Sequence, residues 1–318
     1  MRYIRLTAIA AVFVFLIGCT SNLLEGSVEG IRVTLVAADG PTPVYYAKVT
    51  LAGETEPFTT ETRSLVDGTV AFSGMPDDIY GLNAESKSGV LVGKKRIKVE
   101  DGRSPDGLYF QVNTRADGAR VFTVNGTYDR IGDTMERLGY LYTTIDAGDL
   151  ADAETLASAD ALILNSGCDI GPAQDPAVVN NLRAFVEGGG RLVVSGRAND
   201  YVTAVWPNAI TYVDGVTGNS LQQTTISFGH GDLNSYMLGN SIEIKYKVGG
   251  FPVIAATTGV VLASGDVKHS GGTAVDAPVA VSFARGSGMV TYTNFAWFEQ
   301  DHAKDAAGRL YNYVLANR

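Results

Sequence analysis

Hydrophobic positions along this chain change their period more than once, and each change predicts a different kind of structure. Leu6 to Ile17 is a predominantly apolar run behind Arg2 and Arg5, and Thr20 to Glu29 reads as a short polar tether. From Gly30 to Asn113 apolar and polar residues alternate, as in Ile31-Arg32-Val33-Thr34-Leu35 and Ala47-Lys48-Val49-Thr50-Leu51. Period-two alternation predicts strands with one buried face. Further strands are expected over Thr59 to Thr62, Thr69 to Phe72, Tyr80 to Ala84, Arg96 to Val99 and Leu108 to Val112. Asp39-Gly40, Asp67-Gly68 and Asp101-Gly102 supply turns between them, because glycine tolerates positive φ and aspartate bonds its own backbone. Strands and turns at this spacing predict an antiparallel β-sandwich.

From Arg120 the pattern alternates between strands and helices. Val121 to Val124, Tyr142 to Ile145 and Asp160 to Leu164 read as strands, and Asp129 to Leu138 and Asp175 to Val186 as helices. The stretch Leu182 to Tyr201, LRAFVEGGGRLVVSGRANDY, organises this part. Three glycines stop a helix, and Leu192-Val193-Val194 then forms an apolar run without alternation, as expected of a strand buried on both faces of a parallel sheet. Strands alternating with helices predict a doubly wound, flavodoxin-like α/β domain whose ligands bind at the carboxyl ends of the strands. Beyond Pro207 strands dominate, at Ile210 to Val213, Ile242 to Tyr246, Val253 to Ala256, Val260 to Ala263, Val279 to Phe283 and Met289 to Thr293. Arg309 to Ala316 closes as a helix, Lys268 to Thr273 reads as a mobile loop, and Gly286-Ser287-Gly288 as a hairpin turn.

Charge narrows the function classes. The chain has 25 Lys and Arg against 34 Asp and Glu, a net charge of −9. Such an acidic body argues against nucleic-acid partners, which need clustered cations. The longest basic cluster, Lys94-Lys95-Arg96 with Lys98, reads as the solvated face of a strand. The initial apolar run is shorter than the roughly 20 residues that span a bilayer and has the charge pattern of a signal peptide. Leu16-Ile17-Gly18-Cys19 resembles the lipobox of bacterial lipoproteins, which implies cleavage before Cys19 and lipid on its thiol. That resemblance implies a cell-envelope location with the membrane as a partner, and Thr20 after the cysteine points to the outer rather than the inner membrane. Cys168 is then the one cysteine left over, so no internal disulfide is expected.

Two further resemblances cover the body of the chain. Residues 30–114, through Pro43-Val44, Asp67-Gly68-Thr69, Phe72, Met75-Pro76 and Tyr80, resemble the carboxypeptidase regulatory-like (prealbumin-like) sandwich modules, which act as spacers or adhesion folds. Residues 119–318 resemble the class I glutamine amidotransferase-like fold, in the branch of the trehalose-utilisation (ThuA-like) proteins. Ala161-Leu162-Ile163-Leu164-Asn165-Ser166-Gly167, Gly189-Gly190-Arg191-Leu192-Val193-Val194 and Arg285-Gly286-Ser287-Gly288-Met289-Val290-Thr291-Tyr292-Thr293 carry the likeness. It implies an oxyanion loop at Ser166-Gly167-Cys168-Asp169 and a nucleophile elbow after Val194. The elbow cysteine is missing, with Ala198, Arg197 or Ser195 at its place depending on register, and Ala296 stands where the family histidine belongs. This pattern describes a pseudoenzyme without the glutaminase triad.

The residues left open two readings. In the first the protein is a lipid-anchored, non-catalytic ligand-binding or scaffolding protein with a carbohydrate or envelope-protein partner. Its ligand-binding candidates are Ser166, Asp169, Arg197, Asn199, Asp200, Tyr201 and Trp297, whose rings and planar polar groups suit a sugar. In the second it is a hydrolase acting on a sugar or amide, with Ser195, Asp200, Glu299 and His302 or the Cys168 thiol as candidate groups. The histidines His230, His269 and His302 lack metal-ligand spacing, and neither a metal nor a cofactor is expected.

Overall fold

Strand β1 (Ser27–Glu29) opens the region that this computed structural model describes, residues 27–317 except 39, 41, 56, 88, 115–119, 230, 238, 299 and 301–303. The expected leader, the Cys19 lipidation site, most of the tether, the linker at 115–119, and His230, Glu299 and His302 lie outside the described residues. The alternating region continues as β2 (Ile31–Val36), β3 (Lys48–Gly53), β4 (Thr59–Arg63), β5 (Thr69–Phe72), β6 (Asp78–Glu85), β7 (Leu91–Val99), β8 (Arg103–Pro105), β9 (Leu108–Gln111) and β10 (Asn113–Thr114). Among the described residues these form one sheet in the order β10-β7-β6-β3-β4 and a second in the order β5-β2-β9, with β1 paired to β8. The inward positions, including Val33, Leu35, Val49, Leu51, Tyr80, Leu82 and Phe110, are buried as period-two alternation requires. One pair departs from the antiparallel expectation, since β2 and β9 run parallel.

The α/β unit begins with β11 (Val121–Val124), α1 (Gly132–Arg137), β12 (Thr143–Ile145), α2 (Ala153–Ala157), β13 (Ala161–Leu164), α3 (Pro176–Glu187), β14 (Arg191–Ser195) and α4 (Asn199–Val205). Helix α3 starts where Asp175 accepts the Ala177 N–H at 2.8 Å, with Pro176 in the first turn, and stops at Gly188. Its buried stripe of Val178, Leu182, Phe185 and Val186 packs on the sheet, and truncating Leu182 to alanine would cost about 2–5 kcal/mol. The chain continues as β15 (Ile210–Thr217), β16 (Gln222–Phe228), α5 (Gly231–Met237), β17 (Ser241–Tyr246), β18 (Pro252–Thr257), β19 (Val260–His269), β20 (Gly272–Arg285), β21 (Gly288–Thr293) and α6 (Lys304–Asn312), which ends in a π turn at Tyr313–Asn317.

Among the described residues one sheet has the order β12-β11-β13-β14-β21-β20-β19-β16-β17. Its first five strands are parallel, and from β20 onward the neighbours are antiparallel. The architecture is therefore a β-sandwich joined to an α/β unit, with a doubly wound parallel half extended by an antiparallel half. Strand β14 lies between β13 and β21, which explains its uninterrupted apolar run. Leu192 and Val194 face the α3 and α4 side, whereas Val193 faces the α1 and α6 side.

Three local expectations are corrected. The helix expected from Asp129 begins only at Gly132, and Asp129 sits in the loop before it with its side chain fully buried. The segment Lys268 to Thr273 is no mobile loop but the tight tip of the β19–β20 hairpin, with His269 opposite Gly272. Strand β16 has no counterpart in the hydrophobic pattern because Gln222 and Thr224 take two of its inward positions. Gln222 is satisfied there by Lys268, whose carbonyl accepts from Nε2 at 2.8 Å and whose N–H donates to Oε1 at 2.8 Å.

The sandwich and the α1/α6 side of the large sheet share one continuous hydrophobic cluster. At the seam, the Pro43 carbonyl accepts from the Tyr236 hydroxyl at 2.6 Å and from Asn312 Nδ2 at 3.3 Å. Asn312 Oδ1 in turn accepts from the Tyr140 hydroxyl at 2.8 Å, and the Tyr45 ring stacks nearly parallel to that of Tyr313.

Candidate functional site at the strand ends

The carboxyl ends of β11, β13, β14 and β21 meet around one buried carboxylate. Alternation along β14 turns Ser195 to the same side as Val193, toward the loop after β11. There the Ser195 hydroxyl, 1% exposed, donates to Asp129 Oδ2 at 2.6 Å and accepts from the Ser166 N–H at 2.9 Å. Asp129 also accepts from the backbone N–H groups of Trp297 at 3.1 Å and Phe298 at 2.9 Å, just beyond β21. Burial pushes the Asp129 carboxyl up from its ordinary value, against the opposing pull of the Ser195, Phe298, Trp297 and Arg130 donors. One side chain in the loop after β11 thus ties the ends of β14 and β21 together, and Ser195 extends the link to the end of β13.

Directly after β14 the chain makes a tight turn. Gly196 has φ +49°, and a Cβ there would overlap the Ser166 hydroxyl, so glycine is required at this position. The Gly196 carbonyl accepts from the Tyr292 hydroxyl at 2.8 Å, and the Arg197 N–H donates to Ser166 Oγ at 3.1 Å. Arg197 then crosses the strand ends. Its guanidinium lies 4.8 Å from the Tyr128 ring centroid, and Nη2 donates to the Gly249 carbonyl at 2.7 Å. The Val248–Phe251 loop covers it, pinned by Phe251 stacked on Tyr246 with ring centroids 4.4 Å apart. Ser166, Gly196, Arg197, Asn294 and Phe295 line the cavity beneath, which has a volume of only about 10 Å³. Outside it an open cleft of about 410 Å³ is bordered by Tyr128, Arg130, Lys247 and Phe298.

The nine-strand order and this crossing point fix the fold without fixing a family. No protein-family model and no curated protein matches the chain. Solved structures do. The chain is similar to a β-galactosidase from Rahnella sp. R3 at 17% identity and a TM-score of 0.41, over 63% of this chain and 32% of that one. It is similar to a ThuA-like protein from Bacteroides uniformis at 11% identity and a TM-score of 0.46, over 64% of this chain and 94% of that one. A GMP synthase protein from Thermoplasma acidophilum aligns at 13% identity and a TM-score of 0.42, over 61% of this chain and 91% of that one. The chain spans about a third of the length of the β-galactosidase. Identities this low concern the fold alone.

The sequence candidates separate in space. Ser166 and Arg197 line the covered cavity. Tyr201 is fully buried and donates its hydroxyl to the Asp169 carbonyl at 2.6 Å, and Trp297 is buried against Phe295 and Tyr311. Neither ring offers a face to solvent, because both are hydrophobic core. Asn199 donates to the Asp200 carboxylate at 3.1 Å in the first turn of α4, and exposed Asp169 turns its carboxylate back on the Gly171 N–H at 2.9 Å. The Cys168 thiol is buried, and that burial, followed by the nearby Asp169 and Asp200 carboxylates, pushes its pKa up to about 12. A thiol held that high stays protonated at neutral pH and is a poor nucleophile. Ala198 is fully buried, and the Ser166 N–H that an oxyanion hole would use already donates to Ser195.

Asp129, Tyr128, Asn294 and the Val248–Phe251 loop are the site residues that sequence reasoning missed. Asn294 stands immediately after an apolar strand, a position that marks a strand end and was open to recognition. The Val248–Phe251 loop comes from the antiparallel half, and no local pattern connects it to β14. Among the described residues no group of three or more His, Cys, Asp or Glu could hold a metal ion, and no helix is long and apolar enough to cross a membrane.

Proposed function

We propose that this chain is a lipid-anchored bacterial envelope protein whose α/β unit binds a ligand or partner at the strand ends without turning it over. The observation that carries the reading is the state of Ser195. Its proton is held by Asp129, its oxygen accepts from Ser166, and its side chain is sealed from solvent. A nucleophilic serine needs a base that takes its proton as it attacks, and it needs an open approach to a carbonyl. Here the carboxylate is fully buried and also bound to backbone N–H groups. The anchor rests on the lipobox resemblance at Cys19, and the envelope location rests on that anchor.

Two measurements on the whole protein test this. Labelled palmitate should enter the wild-type chain during expression and be lost with Cys19→Ala, which should also release the protein from membranes. A thermal-shift screen against sugars and small organic acids should give ligands that raise the melting temperature by mass action. The same compounds as ester, amide or glycoside substrates should show no turnover. Turnover that disappears with Ser195→Ala would refute the non-catalytic reading.

A further inference from the structure

Two buried donors at the covered cavity have no acceptor, and a serine hydroxyl lines it beside them. Asn294 is fully buried, and its Oδ1 is taken by the Tyr246 hydroxyl at 2.8 Å, which leaves Nδ2 turned to the cavity with no partner. Arg197 Nε is likewise buried and unpartnered. Ser166, whose Oγ accepts from the Arg197 N–H at 3.1 Å, lines the same cavity and brings a hydroxyl that can donate. Buried donors without acceptors are rare and costly, because each forfeits its solvation.

The guanidinium is the most under-satisfied of the three. Of its five N–H donors, the interactions present are one neutral carbonyl, that of Gly249, and the face of Tyr128. Among the described residues no carboxylate pairs with it. The remaining walls are apolar, formed by Tyr246, Val248, Phe251, Phe295 and Ala296. The outer cleft that leads here shares Tyr128 and Val248 with the cavity and is bordered by two cations, Arg130 and Lys247, in a chain whose net charge is −9. The Asp129 carboxyl in the same wall is occupied by Ser195 and the backbone N–H groups of Trp297 and Phe298.

The covering loop carries two glycines, Gly249 and Gly250, between stacked aromatic ends, Tyr246 and Phe251. Gly250 has φ +78°, and a Cβ there would overlap the Arg197 guanidinium. Among the contacts that hold the loop closed are Arg197 to the Gly249 carbonyl at 2.7 Å, the Gly250 N–H to the Gly218 carbonyl at 2.8 Å and the Gly218 N–H to the Phe251 carbonyl at 2.9 Å.

We infer that Lys247–Gly250 is a lid latched by Arg197: closed, it leaves a cavity of only about 10 Å³, and lifted, it joins that cavity to the outer cleft of about 410 Å³ as a pocket for a small organic carboxylate, whose oxygens replace the Gly249 carbonyl on Arg197 and meet Asn294 and Ser166. This deepens, and rests on, the reading of the strand ends as a binding site. A planar carboxylate matches the guanidinium fork and accepts from all three donors, while its short carbon chain meets the apolar walls.

The test is a titration of the isotope-labelled full chain with sodium propionate, its neutral isostere propionamide, and inorganic phosphate, followed through the Arg197 Nε–H and the Gly249 and Gly250 amide resonances. Propionate should bind saturably and shift all three signals. Arg197→Met should weaken it by about tenfold or more, and Arg197→Lys, which keeps the charge and the fold but loses the fork, should weaken it by at least about threefold. Equal binding of propionamide, tighter binding of phosphate, unchanged affinity in both variants, or no saturable shift with propionate would each overturn the inference. The thermal-shift screen reads ligands anywhere on the chain, so its hits would survive that failure. Conversely, turnover lost with Ser195→Ala would remove the non-catalytic reading without altering this titration.

Discussion

Removing the Asp129 carboxylate should unclasp the strand ends, and the cost can be worked from its partners. Asp129→Ala strands the Ser195 hydroxyl and the Trp297 and Phe298 N–H groups, which now meet it at 2.6, 3.1 and 2.9 Å. Each orphaned buried donor costs about 1–3 kcal/mol, so a loss of about 3–9 kcal/mol is expected from the three, a large share of a typical domain's stability. Ser195→Ala removes one of these donors and leaves the Ser166 N–H without its acceptor, for about 1–3 kcal/mol. Because the two side chains share one hydrogen bond, the double variant should cost less than the sum by about 1 kcal/mol or more. Urea unfolding followed by tryptophan fluorescence reads all four proteins, with Trp297 beside the clasp. Asp129→Ala costing under about 1 kcal/mol, or the two substitutions adding within about 0.5 kcal/mol, would refute the clasp. The pH dependence carries a sign as well. Burial raises the Asp129 pKa in the folded state, so the folded state holds its proton more tightly than the unfolded chain. Its contribution is fully present below the unfolded value of about 3.9 and is lost as pH rises through the folded value. The gap between wild type and Asp129→Asn should therefore narrow as pH increases across that window.

Other outcomes follow from the same geometry. Cys168 should resist thiol reagents at pH 8 until the protein unfolds. Since its folded pKa is raised to about 12, wild type should lose about 2 kcal/mol relative to Cys168→Ala between pH 8 and pH 10, read by urea midpoints at each pH. Gly196→Ala should destabilise by about 1–3 kcal/mol in thermal melts, because it strains a positive φ and drives a methyl into Ser166. Tyr236→Phe removes the donor to the Pro43 carbonyl and should cost about 1 kcal/mol, with proteolysis in the Pro43 to Ala47 segment accelerated; unchanged cleavage there would count against the seam.

Elements with a clean period were legible in the chain. The alternation of β2, β3 and β6, the amphipathic stripe of α3 with its Asp175 cap, and the apolar run of β14 all follow from residues within one turn or one strand of each other. The position of the site, at the end of β14, followed from that run and from the turn after it. What stayed hidden depends on distant partners. Gln222 and Thr224 face inward in β16 because Lys268, on another strand, satisfies the glutamine, and no window around residue 222 contains that information. Asp129 resembles a helix-start residue when read locally, and its role as the clasp exists only once Ser195, Trp297 and Phe298 arrive from far along the chain. Tyr201 and Trp297 suited a sugar platform by type, but type does not encode burial, and both rings are core.

The seam at Pro43 has a consequence for the order in which this protein can be made. The carbonyl of a residue near the start of the sandwich is completed by Tyr236 and Asn312, the latter 269 positions later. Wherever the chain emerges amino end first, in synthesis or in export, the sandwich appears with this surface uncovered, and it stays so until α6 has followed. Tyr45, which stacks on Tyr313, waits equally long. Chains truncated before α6 should thus expose an aromatic surface on their first unit as well as an unfinished second one. Their quality control would be triggered at the opposite end from the damage.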